Sequence, residues 1–194
     1  MQMNIVITGV PGVGATKVSE NARRELGEEY SLINMGDVML EEALERGLAR
    51  SRKGLSRLQF RDQRALQRRA GEYIARKSAT GPVLIDTHLV VETPLGYIPG
   101  MGLETLREVN PSAFVIVDAP TESIRERREQ SHRSYEQFSP SISFHKQLQN
   151  SAAFTFALQS NAPVYHLLND ESAAATGKQL ATLVGMLSNI ERNR

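Results

Sequence analysis

Cysteine is absent from the chain, and its absence excludes a disulfide framework, a thiolate metal site and a cysteine nucleophile. No run of apolar residues approaches the length of about 20 that a membrane-spanning helix needs. Residues 1–4 lack the basic start and the apolar stretch of a secretory signal. From these absences we expect a cytoplasmic protein.

The composition is that of a folded chain, with 40% hydrophobic and 23% charged residues. At about 150 residues per domain, a chain of 194 residues predicts one domain, residues 1–194. No linker rich in proline or serine divides it.

Basic and acidic residues nearly balance over the whole chain, 23 against 22, but they are unevenly distributed. Residues 46–77 contain eleven basic residues and only two acidic ones, Asp62 and Glu72, so this segment carries +9 and the rest of the chain −8. A local positive field of this size suits ligands that bear phosphate groups. The alternative is a solvated helical face whose charges pair with acidic residues elsewhere.

Part of this charge recurs at helical spacing and predicts one basic stripe, formed by Arg57, Arg61, Arg64 and Arg68. The stripe could face a nucleotide phosphate, a nucleic acid backbone or only water. Aromatic side chains on which a base could stack are few here, namely Phe60 and Tyr73. The sequence therefore gives little support to nucleic acid recognition by stacking.

Short β-branched runs alternate with longer helical patterns along the chain. The predicted strands are 5–7, 30–33, 83–85, 114–117 and 164–168, and the predicted helices are 15–26, 38–48, 56–79, 121–129, 141–159 and 172–190. The strands are apolar almost throughout, which indicates that both faces of the sheet are covered. The pattern predicts an α/β fold, a five-stranded parallel sheet with helices on both faces.

A glycine-rich loop follows the first predicted strand, where ligands bind in such sheets. Gly9, Gly14 and Thr16 fit the phosphate-loop pattern G-x-x-x-x-G-K-[ST], and Gly12 adds backbone freedom. Backbone N–H groups of such a loop converge on an anion at the start of a helix. The loop residues predicted to bind phosphate are Gly9, Val10, Pro11, Gly12, Val13, Gly14, Ala15 and Thr16.

The lysine of this pattern is missing, because Ala15 occupies its position. Lys17 is two residues further along the predicted helix, about 200° around its axis, and would leave on the opposite face. Phosphate binding could persist on backbone amides while phosphoryl transfer slows greatly.

Polar residues follow two other predicted strands. Asp86 could hold Mg²⁺ through water or could cap a turn, and His88 is expected to pack or to form a local hydrogen bond. Gly36 permits a close approach of the backbone to a ligand. Asp37 could cap the next helix as readily as serve a site.

Two further segments have candidate roles. The loop 92–100 holds two prolines and two glycines, and its Tyr97 could stack on a base, although we favour packing within the loop's own small core. A basic cluster follows the fourth strand: Arg125, Arg127, Arg128, His132 and Arg133. It fits a mobile lid that presents guanidinium groups to phosphates, or an exposed connection. His145 and His166 show no metal-ligand spacing.

Together these segments resemble the archaeal-type adenylate kinases. The resemblance rests on the loop 5–16, on 34–40 (Asn-Met-Gly-Asp-Val-Met-Leu), on 85–88 (Ile-Asp-Thr-His) and on 93–100 (Thr-Pro-Leu-Gly-Tyr-Ile-Pro-Gly). It implies a three-layer P-loop kinase fold with an acceptor-nucleotide-binding helical region at 36–80 and a short lid at 130–140. It also implies Mg²⁺-dependent conversion of ATP and AMP to two ADP, with a homotrimeric assembly.

The resemblance further implies roles for individual residues. The loop would hold the phosphates of the donor ATP, and Thr16 and Asp86 would hold Mg²⁺. The catalytic residues would be Arg128, Arg133 and Asp86. The acceptor-binding residues would be Gly36, Asp37, Arg52, Thr87, His88 and Thr93.

Several positions depart from the family pattern. Ala15 replaces the lysine, Glu92 stands where the family is usually basic, and Asn150 aligns with an expected arginine. The hypotheses are therefore a slow adenylate kinase, a catalytically impaired nucleotide-binding relative that serves in regulation or interaction, and an RNA-binding module that uses residues 46–77.

Overall fold

The structure, a computed structural model, describes residues 3–131 and 141–192. Its strands are β1 (Asn4–Thr8), β2 (Ser31–Asn34), β3 (Val83–Asp86), β4 (Val90–Thr93), β5 (Gly96–Pro99), β6 (Ala113–Asp118) and β7 (Val164–Leu168). Five of them form one parallel sheet in the order β2-β3-β1-β6-β7. The predicted five-stranded parallel sheet is confirmed.

The helices lie between these strands and after the last one. They are α1 (Ala15–Leu26), α2 (Met35–Glu45), α3 (Arg52–Ser56), α4 (Phe60–Ser78), α5 (Leu103–Val109), α6 (Thr121–Gln130), α7 (Ile142–Ser160) and α8 (Ala173–Arg192). Within the described ranges, none of them is both long enough and apolar enough to cross a membrane.

The sheet is buried on both faces, as its continuous apolar runs predict. Alternate residues of β1 point to opposite faces, so Ile5 and Ile7 pack with α1 and α8, whereas Val6 packs with α4, α5 and α7. These side chains are completely buried, and each contributes about 1.5–3 kcal/mol to folding. The carboxyl ends of the strands are thereby fixed at one edge of the sheet.

Two predicted helices begin and end elsewhere in the structure. Asn34 caps α2 by accepting a hydrogen bond of 3.1 Å from the Asp37 N–H, so the helix starts before residue 38 and the suggested Asp37 cap is wrong. The predicted helix 56–79 begins four residues later, as α4 at Phe60, and residue 56 instead ends the short helix α3, which the Ser51 hydroxyl caps by accepting from Gly54 N–H. The basic stripe is divided accordingly, and Arg57 ends α3.

The segment predicted as a shaped loop at 92–100 is largely a β-hairpin. Strands β4 and β5 pair antiparallel, with Glu92 opposite Tyr97 and Thr93 opposite Gly96. A two-residue turn joins them, and Gly96 has a φ of +111°, which favours glycine. The Thr93 hydroxyl donates to the Gly96 carbonyl at 2.8 Å. The prolines and glycines therefore mark a tight turn and strand ends.

Candidate active site

The glycine-rich loop joins β1 to α1 as predicted. Gly12 and Gly14 have φ angles of +90° and +94°, a region that side chains disfavour. The first hydrogen bond of α1 runs from Val18 N–H to the Gly14 carbonyl at 3.0 Å. The amides of Ala15 and Thr16 therefore have no acceptor within the helix, and they form a site for an anion at its positive end.

Side chains outside the loop hold its carbonyl groups. His88 Nδ1 donates to the Gly9 carbonyl at 2.7 Å, and Arg128 Nε donates to the Pro11 carbonyl at 2.7 Å. The residues of each pair are far apart in the chain, so these bonds fix the loop to the segment after β3 and to α6 rather than to its own neighbours.

The Val13 carbonyl is held twice, by Arg127 Nη1 at 2.9 Å and by Asn169 Nδ2 at 2.8 Å. In a trans peptide the N–H points opposite to the carbonyl of the same unit, and the described residues contain no cis peptide. The amides that follow the held carbonyls therefore point away from these side chains. They belong to Val10, Gly12 and Gly14. The carbonyl contacts thus fix the direction of these three N–H groups.

The two residues predicted to hold magnesium meet below the loop. The Thr16 hydroxyl donates to Asp86 Oδ2 at 2.7 Å, and Asn34 Nδ2 donates to the same oxygen at 2.7 Å. Asp86 is only 4% exposed. A hydroxyl beside a carboxylate suits Mg²⁺, which usually takes one or two protein ligands and completes its shell with water and substrate phosphates. The described residues contain no larger metal-ligating group.

Asn34 connects this pair to the predicted acceptor residues. Arg52 Nη2 donates to Asn34 Oδ1 at 2.5 Å and to Asp37 Oδ1 at 2.6 Å. A Cβ at Gly36 would overlap the Arg52 guanidinium group. The absence of a side chain at Gly36 thus makes room for the Arg52 guanidinium group at the start of α2. From the sequence we expected Gly36 to make room for a ligand.

The hydrogen bond of His88 defines which of its ring nitrogens carries the proton. A carbonyl oxygen only accepts, so Nδ1 is protonated toward Gly9 and Nε2 keeps a lone pair when the ring is neutral. Burial lowers the pKa of His88, while Asp86 and the carbonyl bond oppose the shift and Arg52 and Arg128 add to it. His88 as a whole residue is exposed to solvent, although protein atoms surround its ring closely enough to desolvate it.

A second histidine, His145, packs against the β4–β5 hairpin. His145 on α7 is buried and lies 3.3 Å from the Val90 carbonyl through Nε2. Burial lowers its pKa to about 4. Tyr97 contacts the rings of His145 and Phe144 edge-on, at centroid distances of 5.0 and 5.7 Å. Tyr97 thus packs against α7 rather than within the loop's own small core.

The structure gives the remaining predicted residues other contacts or does not describe them. Thr87 is buried and its hydroxyl faces the Met35 sulfur at 3.5 Å, and Thr93 is occupied in the hairpin turn. Arg133 and most of the predicted lid 130–140 lie outside the described residues. Asn150 is exposed on α7.

Ala15, which occupies the lysine position of the phosphate-loop pattern, is a buried residue. Ala15 is 6% exposed at the first turn of α1, whereas Lys17 is exposed to solvent. Arg128 lies against the loop instead, since a Cβ at Gly12 would come within 2.8 Å of its Cγ. Arg127 and Arg128 contact the loop, and both donate hydrogen bonds to its carbonyl groups.

Sequence reasoning missed three amide side chains that assemble the site. Asn34 and Asn169 each follow an apolar run at the ligand-binding edge of the sheet, and that position was the available signal. Gln149 on α7 accepts from Val90 N–H at 3.0 Å and donates to the Thr8 hydroxyl. Nothing in the local sequence marks this contact.

Comparisons with known proteins agree with this geometry. A protein-family model described as "AAA domain" matches residues 8–139. The chain is 35% identical over 173 residues to an adenylate kinase of Pyrococcus horikoshii, covering 88% of each chain. It is 38% identical over 171 residues to an adenylate kinase of Methanocaldococcus jannaschii, covering 85% of this chain and 88% of the relative. The chain belongs to the adenylate kinase family.

Solved structures show the same fold at low identity. A shikimate kinase of Bacteroides thetaiotaomicron superposes with a TM-score of 0.56 at 15% identity, covering 94% of this chain and 98% of the other. A gluconokinase of Sinorhizobium meliloti gives 0.55 at 18% identity, covering 99% and 97%. The predicted P-loop kinase fold is therefore confirmed, and this member of the adenylate kinase family is a phosphotransferase.

Proposed function

We propose that this enzyme transfers the terminal phosphoryl group of ATP to AMP, with Mg²⁺, and yields two ADP at a reduced rate. The observation that carries the proposal is the Thr16–Asp86 hydrogen bond directly below an amide-lined loop. The adenylate kinases of two archaea, at 35% and 38% identity, support the choice of substrates. By the same resemblance we propose a cytoplasmic homotrimer.

On the donor side, backbone N–H groups of the loop, those of Val10, Gly12, Gly14, Ala15 and Thr16, would bind the phosphates of ATP. Thr16 and Asp86 would hold Mg²⁺, which supplies positive charge that offsets the charge of the transferring group. Because the loop carbonyls are already hydrogen-bonded, the amides need little rearrangement when phosphate binds.

On the acceptor side, Arg52 would bind the AMP phosphate. Its guanidinium group now pairs with Asp37, and both side chains are largely exposed, so the pair is weak enough to exchange for a phosphate. His88 would orient the acceptor through its open Nε2, while Gly36, Asp37, Thr87 and Thr93 would shape this side of the cleft.

Transfer itself needs positive charge between the two substrates. Arg128 would supply it from α6, and Arg133 from the lid would add to it. The predicted rate is low because Ala15 cannot provide the ammonium group that normally reaches the transferring phosphate. Removal of a single such donor typically costs about 10²–10³-fold in rate.

The test is ADP formation from ATP and AMP, comparing the native chain with Ala15→Lys and Ala15→Met. Methionine matches lysine in length but carries no charge, so it controls for crowding at this buried position. We expect weak turnover in the native chain, at least a tenfold rise with lysine and no rise with methionine. Melting curves establish that each variant folds.

A catalytically impaired relative gives a different result. In that case the native chain and Ala15→Lys both bind a non-hydrolysable ATP analogue, and neither forms ADP. Glu92, a carboxylate in β4 at a position where the family is usually basic, is the sequence feature that favours this candidate. Undetectable turnover in both proteins would replace our proposal with it.

A further inference from the structure

The outer side of α4 carries a set of exposed cations that are not among the residues assigned to the kinase site. Arg61, Arg64 and Arg68 are exposed, whereas Leu66 and Ile74 on the opposite side are buried in the core. At 1.5 Å per residue, Arg61 and Arg68 are about 10 Å apart along the axis. We call these three arginines, with Phe60, the α4 basic face.

Nearby carboxylates neutralise this face only in part. Arg68 pairs with Glu72 at 3.2 Å, and Arg69 at the margin lies 3.8 Å from Glu42. These pairs are between solvent-exposed or half-exposed groups, which gain little energy and exchange readily. These two pairs engage Arg68 and the marginal Arg69, so they leave the α4 basic face positively charged.

An aromatic ring completes the face. Phe60 is 51% exposed at the first turn of α4, and the Arg64 guanidinium carbon lies 5.8 Å from its ring centroid. An exposed ring among arginines is the arrangement on which bases stack in proteins that bind single strands. An acidic peptide would use the charges alone, so the ring favours a nucleic acid.

We propose that the α4 basic face binds single-stranded nucleic acid, with its arginines along the phosphate backbone and a base stacked on Phe60. None of its four residues belongs to the phosphate loop or to the Thr16–Asp86 pair. They are also not among the residues assigned to bind the acceptor, although α4 lies within the region 36–80, so substitutions on this face test the proposal separately from the kinase assignment.

The experiment measures binding of a labelled RNA of about 16 nucleotides to the full chain over a range of salt concentrations. One variant is Arg61→Gln with Arg68→Gln, which keeps the Arg64–Phe60 contact. The charge-matched control is Arg24→Gln with Lys178→Gln, two exposed cations on α1 and α8. Phe60→Ala tests stacking separately, and Phe60→Tyr retains a ring.

Each variant has its own expected result. For single strands, each neutralised phosphate contributes about −0.7 to the slope of log affinity against log salt, so the arginine pair should reduce the slope by about 1.4. Phe60→Ala should weaken binding by about tenfold at an unchanged slope, and tyrosine should restore it. The control pair should change neither quantity.

Three outcomes would overturn the proposal. No binding at about 50 mM salt would remove the nucleic acid site. Equal slope changes in the arginine pair and the control pair would show that net charge alone is responsible. Unchanged affinity in Phe60→Ala, with heparin competing as well as RNA, would leave a polyanion-attracting surface without base recognition.

Discussion

The Thr16 hydroxyl donates a hydrogen bond of 2.7 Å to Oδ2 of Asp86, a residue 70 positions further along the chain. Parallel pairing of β1 with β3 brings the two residues together, because the carboxyl ends of both strands reach the same edge of the sheet. The bond is thus a direct consequence of the sheet order. It also places a hydroxyl and a carboxylate where the loop amides would hold phosphate.

Asp86→Asn should abolish most of the turnover without unfolding the protein. The amide oxygen can still accept from Thr16 and Asn34, but the negative charge that attracts Mg²⁺ is lost. We expect at least about a hundredfold lower kcat at saturating Mg²⁺ and nearly unchanged binding of metal-free ATP. Thr16→Ser keeps the hydroxyl and should retain activity. Undiminished turnover in Asp86→Asn would separate Asp86 from catalysis.

The sheet was predictable because its strands are short, apolar almost throughout and bounded by glycine or proline. The hairpin of β4 and β5 was not, because Gly96 and the two prolines indicate a turn equally well with or without flanking strands. Asn34 and Asp37 both suit a helix cap. Only the folded structure shows that Asn34 accepts the bond and that Asp37 is left to pair with Arg52.

The support of the phosphate loop was outside the reach of sequence reasoning. Arg127 and Arg128 contact carbonyls 114 and 117 positions away. Their position after the predicted strand 114–117, which is β6 of the structure, indicated phosphate as their partner. The structure shows that they donate to backbone carbonyls instead. A contact between distant segments depends on how α6 packs, and no local periodicity encodes it.

Gly36→Ala should weaken acceptor binding selectively. The added methyl group would overlap the Arg52 guanidinium and displace it from Asn34 and Asp37. We expect the KM for AMP to rise at least about tenfold while the KM for ATP changes little. Gly185→Ala is the matched control, because nothing lies within 4 Å of its added Cβ. Equal changes in both Michaelis constants would contradict a specific role for Gly36.

Folding stability should fall as the pH drops from about 6.5 to about 4. His145 has a folded-state pKa of about 4 against about 6.5 in an unfolded chain, so below 6.5 the unfolded state binds the proton first. The contribution is complete above pH 6.5, and about 3 kcal/mol is lost by pH 4. Urea unfolding at several pH values measures it.

The matched comparison for this pH effect is His145→Gln against His166→Gln. The first removes the buried imidazole and should flatten much of the pH dependence. The second changes an exposed ring near Asp118 and should leave the His145 contribution intact. His88 contributes to the slope in both variants, because burial lowers its pKa as well. Identical slopes in the native chain and His145→Gln would refute the assignment to His145.

Arg128 should matter more in the native chain than in Ala15→Lys. If its guanidinium supplies charge to the transferring phosphoryl group in the absence of the loop lysine, the two cations share one task and their effects are not additive. We expect Arg128→Met to lower kcat by about a hundredfold in the native chain. In the Ala15→Lys background the same substitution should lower kcat by no more than about tenfold. Arg128→Lys retains the charge but loses the Nε bond to the Pro11 carbonyl, so its kcat should lie between that of the native chain and that of Arg128→Met. Equal losses in both backgrounds would show that Arg128 only supports the loop, because a purely structural contact is needed whether or not a lysine is present.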